Sequence, residues 1–244
     1  SAIPAGEVGA VKAPKGPAAE LPKSIAVLPF VNMSDDPGNQ FFSDGISEEL
    51  LNVLVKVPDL GVASRTSSFA YKGKEMGAAE IARELKVSYI LEGSVRKAGD
   101  KVRITAQLID AAQDRHIWSE TYDRQLTDIF AIQDEIANAI VAALRGSLSA
   151  AKAAPAVKVR ADTENMKAYE LYLKARAIPG GQPEVLREAI SLLEQAVALD
   201  STFYDAWTAL SIANSRLLLN GGPTYRAAGA RALDALERAR ALNP

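Results

Sequence analysis

The segment YILEGSVRKAGDKVRITAQLID, residues 89–110, decides the fold of the N-terminal half of this chain. Its second part alternates polar with apolar side chains, and the apolar set is Val102, Ile104, Ala106 and Leu108. Such alternation is typical of a strand with one buried and one solvated face. The short Ala-Gly-Asp sequence at 98–100 joins two strands of this kind. The segment therefore predicts a β-hairpin.

Patterns on both sides of this hairpin predict the rest of a mixed α/β sheet. Short apolar runs predict strands at 24–30, 60–65 and 116–124. Helical spacing predicts helices from about Asp44, at 77–87 and at 127–148, with Ser43 or Asp44 capping the first. No GxGxxG follows the first strand, so a doubly wound dinucleotide fold is not expected.

Composition excludes several kinds of site. The 244 residues include no Cys and a single His, His116, which removes thiolate catalysis and Cys- or His-rich metal sites. We therefore expect no catalytic residues, no metal and no cofactor. A net charge of −2 argues against a nucleic-acid partner. No run of 18 apolar residues is present, so no membrane contact is expected within this sequence.

The C-terminal half repeats itself. LREAISLLEQAVALD (186–200) aligns without gaps to GARALDALERARALN (229–243), and AYELYLKA (168–175) matches AWTALSIA (206–213). Each unit reads as a helix, a turn containing Gly-Gly and a second helix. This pattern resembles the tetratricopeptide repeat, which has a large aromatic residue in its first helix and small residues in its second. The residues in those roles, with the proline expected at the end, are Trp207, Ala232, Ala239 and Pro244.

These patterns divide the chain into four predicted segments. Residues 1–23 are rich in Pro, Gly and Ala and are expected to be a flexible tether; residues 24–148 form the α/β domain. A linker at 149–162 precedes two repeats at 163–244. Because about three repeats are usually needed to bury a continuous core, we expect the repeats to be a truncated array in a longer protein.

Both halves together resemble a bacterial module, the TolB-N-like domain followed by tetratricopeptide repeats. The resemblance rests on IAVLPFVNMSDDPGNQFFSDGISEELLNVL, RTSSFAYKGK, the hairpin, HIWSETYDR and DIFAIQDEIANAIVAAL, and it covers about residues 24–244. The module occurs behind class III adenylate cyclase domains and CadC-like winged-helix regulators, often after one transmembrane helix. The resemblance therefore implies a periplasmic module of a protein anchored in the inner membrane; a cytoplasmic location stays open.

The stretch SRTSSFAYKGK, residues 64–74, contains a candidate ligand or partner loop. Hydroxyls, cations and a Gly-Lys pair are the groups that usually hold an anion, but the glycine spacing of a phosphate loop is missing. The alternative is a turn whose hydroxyls satisfy the backbone and whose aromatic side chains pack on the sheet. The candidate residues are Ser64, Arg65, Ser67, Ser68, Tyr71 and Lys72.

Three other groups have functional and structural interpretations. Paired acids at Asp44, Glu48 and Glu49 suit acid–base or metal chemistry, but helix capping and solvated helix charge explain them more simply. His116, beside Trp118, is interpreted as a packed or surface residue rather than a catalyst. The cations Arg96, Lys101 and Arg103 are interpreted as the solvated face of the hairpin.

The repeats favour binding of a protein or peptide, because stacked helical pairs form concave surfaces. The predicted groove lies along the first helix of each unit, around Glu170, Lys174, Thr208 and Asn214. The sequence thus predicts a non-catalytic interaction or sensory module, scaffolding or sensing in a bacterial signalling protein. The alternative is a regulatory domain of a class III adenylate cyclase that binds a small molecule or nucleotide.

Overall fold

The predicted hairpin lies within a six-stranded mixed sheet. The computed structural model describes residues 23–145 and 163–243, so the predicted linker and all but Lys23 of the predicted tether lie outside the described residues. The strands are β1 (Ser24–Val27), β2 (Val31–Asn32), β3 (Gly61–Val62), β4 (Tyr89–Ala98), β5 (Lys101–Asp110) and β6 (Arg115–Gln125). Their order is β3-β1-β4-β5-β6. Strand β2 lies outside this order and pairs with β4, on the same side of β4 as β1. Pairs among β1 to β4 are parallel, whereas β4, β5 and β6 are antiparallel.

Eight helices accompany the sheet in the described ranges. They are α1 (Gln40–Leu54), α2 (Arg65–Phe69), α3 (Ala78–Leu85), α4 (Ile129–Arg145), α5 (Met166–Ala177), α6 (Pro183–Leu199), α7 (Tyr204–Gly221) and α8 (Arg226–Leu242). Short 3-10 turns lie at Pro37–Asn39, Leu126–Asp128 and Gly222–Tyr225. The prediction of a mixed sheet with packed helices is confirmed.

Helix α1 begins earlier than predicted. Its first residue is Gln40, so Ser43 and Asp44 lie inside the helix and the prediction that one of them caps it is wrong. The preceding 3-10 turn starts the helix instead: Asp36 accepts a hydrogen bond from the Gly38 amide, and Pro37 provides a preset φ. Residues 40–43 therefore add about one helical turn before the predicted start of the helix.

The two faces of the sheet differ, as alternation along the strands requires. Ile25, Val27 and Leu91 face α1 and α4 within the main hydrophobic cluster. Ala26, Leu28 and Ile90 point the other way, into a smaller cluster with α3. The short α3 covers only part of this second face, which leaves polar hairpin residues such as Arg103 exposed to solvent.

The C-terminal half contains the four predicted helices, each packed against the next. Small residues occupy the close approaches: Ala189 and its repeat equivalent Ala232 are both 7% exposed, and Ala196 and Ala239 are also buried. The predicted alternation of helices and turns is therefore present. The tetratricopeptide identity of these helices stays a prediction.

Helix α5 joins the two halves through one continuous apolar core. Tyr169 is fully buried, and its ring meets the edge of Phe130 on α4 at a centroid distance of 4.9 Å. On α1, a methyl group added at Gly45 would lie 2.6 Å from the Leu173 side chain, so the two helices approach closely there. Lys97 of β4 also forms an ion pair with Glu170 of α5. The predicted α/β and helical segments therefore share one hydrophobic cluster.

A second close approach lies inside the sheet and gives a stability prediction. A β-carbon at Gly93 would lie 2.3 Å from the Thr105 carbonyl oxygen and 2.7 Å from the Phe30 ring. Because a backbone atom cannot move aside cheaply, Gly93→Ala is expected to lower the free energy of unfolding by about 1–3 kcal/mol. Urea denaturation measures this change.

The matched control is Gly181→Ala, since nothing lies within 4 Å of a β-carbon at that exposed position. It is expected to change the free energy of unfolding by less than about 0.5 kcal/mol. Equal effects at the two glycines would contradict the packing argument.

Candidate functional site

The candidate loop at 64–74 folds as the short helix α2 followed by turns. The Ser64 hydroxyl caps this helix by accepting a hydrogen bond from the Ser67 amide at 3.2 Å. Ser68 is fully buried. The Tyr71 hydroxyl donates to the Glu84 carboxylate on α3 at 2.6 Å. The Ser64 and Tyr71 hydroxyls therefore form hydrogen bonds within the fold, whereas the buried Ser68 hydroxyl has no hydrogen-bond partner among the described residues.

Two of the three cations of this loop, Arg65 and Lys72, are held by carboxylates of α1. The Arg65 Nε donates to Glu48 Oε1 at 2.5 Å, and the guanidinium also stacks over the Phe69 ring at 4.4 Å. Lys72 Nζ lies 2.5 Å from Asp44 Oδ2. The two residues whose charge made an anion site plausible are thus paired inside the molecule.

Glu48 and Glu49 form the centre of a charged cluster between α1 and α5. Their exposures are 6% and 9%, so the prediction of solvated helix charge is wrong for both. Arg176 of α5 reaches across to form ion pairs with Glu48 and, at 3.5 Å, with Glu49. Its guanidinium also donates to the Tyr172 hydroxyl at 3.0 Å. Docking of α5 is what removes these carboxylates from water.

The two carboxylates differ in their electrostatic surroundings. Glu48 is paired with two guanidiniums, those of Arg65 and Arg176. Burial raises the pKa of Glu49 to about 7; Arg176 lowers this pKa, whereas nearby Asp205 and Glu48 raise it further. Below this pKa the uncharged carboxyl is favoured, because the cost of burying a charge there exceeds the attraction of the guanidinium 3.5 Å away.

The other candidates lie apart from this cluster. His116 is exposed on β6. Arg103 forms an ion pair with Asp123 at 2.6 Å, beside an open concavity of about 600 Å³ that Arg96 and Lys101 also line. Within 23–145 and 163–243, no group of three His, Cys, Asp or Glu side chains is placed to hold a metal ion.

A groove of about 420 Å³ opens between α5, α6 and α7. Its apolar part includes Ala209, Ala213 and Ile212, the last of which is 48% exposed. Its polar part contains Arg176, Arg216, Asp205 and Thr208. The Thr208 hydroxyl is buried and has no hydrogen-bond partner in the described part of the chain. The groove thus offers an apolar surface with guanidinium donors.

Only one of the four predicted groove residues, Thr208, lines this cavity. Glu170 forms its ion pair with Lys97 of the sheet, and Lys174 lies over the Phe41 ring of α1 at 5.1 Å. Asn214 is fully buried and accepts a hydrogen bond from Arg231 of α8 at 3.1 Å.

Sequence reasoning missed Arg176, Ile212 and Arg216. The aligned segments place Lys174 opposite Ile212, but α5 turns this position toward α1 whereas α7 turns it toward the groove. An alignment of the two units shows that Lys174 and Ile212 are equivalent positions. It does not show which helices surround each of them.

The fold and site define a class of structure: a mixed α/β sheet unit with two helical pairs docked on it and a groove between them. Residues 21–139 match the family model described as the second domain of HilA/YgeH-like transcriptional regulators. The chain is also similar to a protein named putative adenylate cyclase 3 from Rhizobium meliloti (strain 1021), with 44% identity over 202 residues. That match covers 80% of this chain and 34% of the relative, so the chain spans about a third of the relative's length.

Two solved structures illustrate weaker similarities. TolB from Acinetobacter baumannii has a TM-score of 0.38 and 18% identity, covering 52% of this chain and 29% of that one. The C-terminal domain of LpoB from Salmonella enterica has a TM-score of 0.36 and 21% identity, covering 43% and 83%. No helix in the described ranges has both the length and the hydropathy needed to cross a membrane.

Proposed function

We propose that this chain is a non-catalytic protein-interaction module of a bacterial signalling protein, and that its groove binds a peptide segment of a partner. The observation that carries the proposal is the groove between α5, α6 and α7, with exposed Ile212 beside the unpartnered Thr208 hydroxyl. An apolar anchor with a few fixed polar groups is the usual composition of a specific binding site. Two guanidiniums, those of Arg176 and Arg216, line the groove against one carboxylate, that of Asp205, and this balance favours a segment with a carboxylate.

The proposal includes the wider setting of the module. The four C-terminal helices are proposed to be two tetratricopeptide repeats, because their small residues occupy matching buried positions. The module is proposed to be periplasmic and to scaffold or sense for an attached effector. The relative named putative adenylate cyclase and the match to a domain of transcriptional regulators support a link to signalling proteins.

The alternative, a nucleotide-binding regulatory domain, has less support. Its predicted anion site depended on Arg65 and Lys72, and these cations are paired with Glu48 and Asp44. An incoming phosphate would have to displace both carboxylates.

Ile212→Glu tests the groove. The substitution places a charge where an apolar partner residue is expected, and it is expected to weaken a bound peptide by more than about tenfold. Peptides are first selected from a displayed library against the full chain, and their dissociation constants are then measured by fluorescence anisotropy. The residue is 48% exposed, so the fold should be retained.

Leu219→Glu is the matched control. It lies on the same helix, is 80% exposed and does not line the groove, so it is expected to leave the peptide affinity unchanged. Equal losses in both variants, or selection of no peptide at all, would contradict the proposed function.

A further inference from the structure

Strand β6 offers a second interaction surface, unrelated to the groove. It is the last strand in the sheet order and has 11 residues. Among the residues that the structure describes, no strand pairs with its outer edge. Side chains on both faces of this strand are exposed, and Tyr122 is its one buried residue. A long open edge presents unpaired amides and carbonyls to another strand.

The hydrogen-bond pattern shows which groups this edge presents. The Leu126 amide donates to the Asp100 carbonyl at 2.7 Å, and Lys101 pairs with Gln125. Because hydrogen-bonded and non-bonded pairs alternate along an antiparallel ladder, Tyr122 and Arg124 turn their backbone groups toward β5 in the same way. The residues that turn them outward are Ser119, Thr121, Asp123 and Gln125.

The side chains of this edge are complementary to a second copy of themselves. Glu120 and Arg124 are both exposed, carry opposite charges and lie two residues on either side of Tyr122. A two-fold axis at Tyr122 would bring each Glu120 opposite Arg124 of the other copy. The same register places Thr121 opposite Asp123. The residues whose backbone amides and carbonyls face outward therefore lie opposite one another along the whole pairing.

Neighbouring registers fit less well. An axis at Thr121 sets Glu120 opposite Tyr122 and forms no pair of opposite charges. An axis at Glu120 places two glutamates opposite each other, and an axis at Asp123 does the same with two aspartates. Like charges directly opposite on a sheet are unfavourable. In the other direction, an irregularity in the pairing with β5 near Ile117 interrupts the regular edge.

We propose that β6 pairs antiparallel with β6 of a second copy about a two-fold axis at Tyr122, so that two sheets join into one. Both charges now have partners within their own chain. Glu120 accepts a hydrogen bond from the Tyr122 hydroxyl of its own strand, and Arg124 lies 4.0 Å from exposed Glu135. Pairing with a second copy would move Glu120 away from the hydroxyl of buried Tyr122, and Arg124 away from the Asp123 carbonyl, to which it donates at 3.1 Å. The contacts between the two copies have to replace these two bonds.

Charge reversal at the two positions tests the register. Sedimentation equilibrium of the full chain is expected to show a dimer at concentrations up to about 1 mM. Glu120→Arg places two arginines opposite each other at each end of the pairing, and Arg124→Glu places two glutamates there. Each is expected to raise the dimer dissociation constant by more than about tenfold. An equimolar mixture of the two variants is expected to form a heterodimer, because every facing pair is then Arg with Glu.

Controls separate this effect from misfolding and from total charge. Lys101→Glu makes the same change in net charge as Arg124→Glu at an exposed residue outside the proposed pairing, and it should leave the dimer intact. Circular dichroism should be the same for all variants. A monomeric wild-type chain at 1 mM, single variants that still dimerise, or a mixture that stays monomeric would each overturn the proposal.

Discussion

Replacing Arg176 with methionine is expected to lower the free energy of unfolding by about 3 kcal/mol. The change removes the cation shared by Glu48 and Glu49, whose side chains are 7% and 12% exposed. A buried charge that loses its partner typically costs about 3–5 kcal/mol. The lower end applies here because the Arg176 side chain is 30% exposed and Arg65 still pairs with Glu48.

Urea denaturation at pH 8 measures this loss of stability. Two further variants test whether it comes from the buried carboxylates. Arg187→Met removes a cation from an exposed pair with Glu184, so it is expected to change stability by less than about 0.5 kcal/mol. The double variant Arg176→Met/Glu49→Gln should recover part of the loss, because one unpaired carboxylate is then neutral. An Arg176→Met chain as stable as the Arg187→Met chain would show that the cluster does not hold α5 on α1.

Local patterns predicted the elements of this fold well. The alternation along β5 identified the hairpin because strand geometry imposes a period of two on burial. The Ile129, Ile132, Ile136 and Ile140 stripe identified α4 for the corresponding reason, a period near 3.6. Each of these signals depends on residues close together in the chain.

The charged cluster could not be predicted in this way. Glu48 and Glu49 lie on a helix where charges are usually solvated, and their partner Arg176 is more than 120 residues away in the chain. Burial of the two acids results from docking of α5, which no local pattern contains. Pairing of Arg65 with Glu48 and of Lys72 with Asp44 likewise depends on tertiary packing, here of the 64–74 segment against α1.

The repeat alignment was accurate in register but not in environment. Leu193 and its equivalent Leu236 match in sequence, yet their exposures are 3% and 44%. Helix α7 packs against α6 and covers Leu193, whereas in the described ranges no helix covers that face of α8. Because equivalent positions of the two units have different neighbouring helices, three of the four predicted groove residues lie outside the groove.

The second large effect is expected in the pH dependence of stability. Burial raises the pKa of Glu49 to about 7 from an ordinary value of 4.5. Between these values the folded chain holds a proton that the unfolded chain has released, so stability falls as pH rises. The free energy of unfolding is therefore expected to be about 3 kcal/mol higher near pH 4.5 than above pH 7 through this group alone. The charged or titratable groups that act on Glu49 lie on several elements: Arg176, Tyr172 and Tyr169 on α5, Asp205 on α7, Glu48 on α1, and Lys56 in the turn after α1.

Urea denaturation from pH 5 to pH 8 checks this slope, and Glu49→Gln assigns it. Glutamine keeps the site uncharged at every pH, so the variant should be more stable than the wild type at pH 8 and should lose most of the decline. Glu188→Gln, at an exposed position on α6, is the matched control and should follow the wild-type curve. A wild-type stability that stays level or rises across this range, or a Glu49→Gln variant with an unchanged slope, would show that Glu49 is already ionised in its buried site. In that case Arg176 would outweigh the cost of burial, and the cluster would be an ordinary ion-pair network instead of a proton-dependent contact between the sheet unit and the helical pairs.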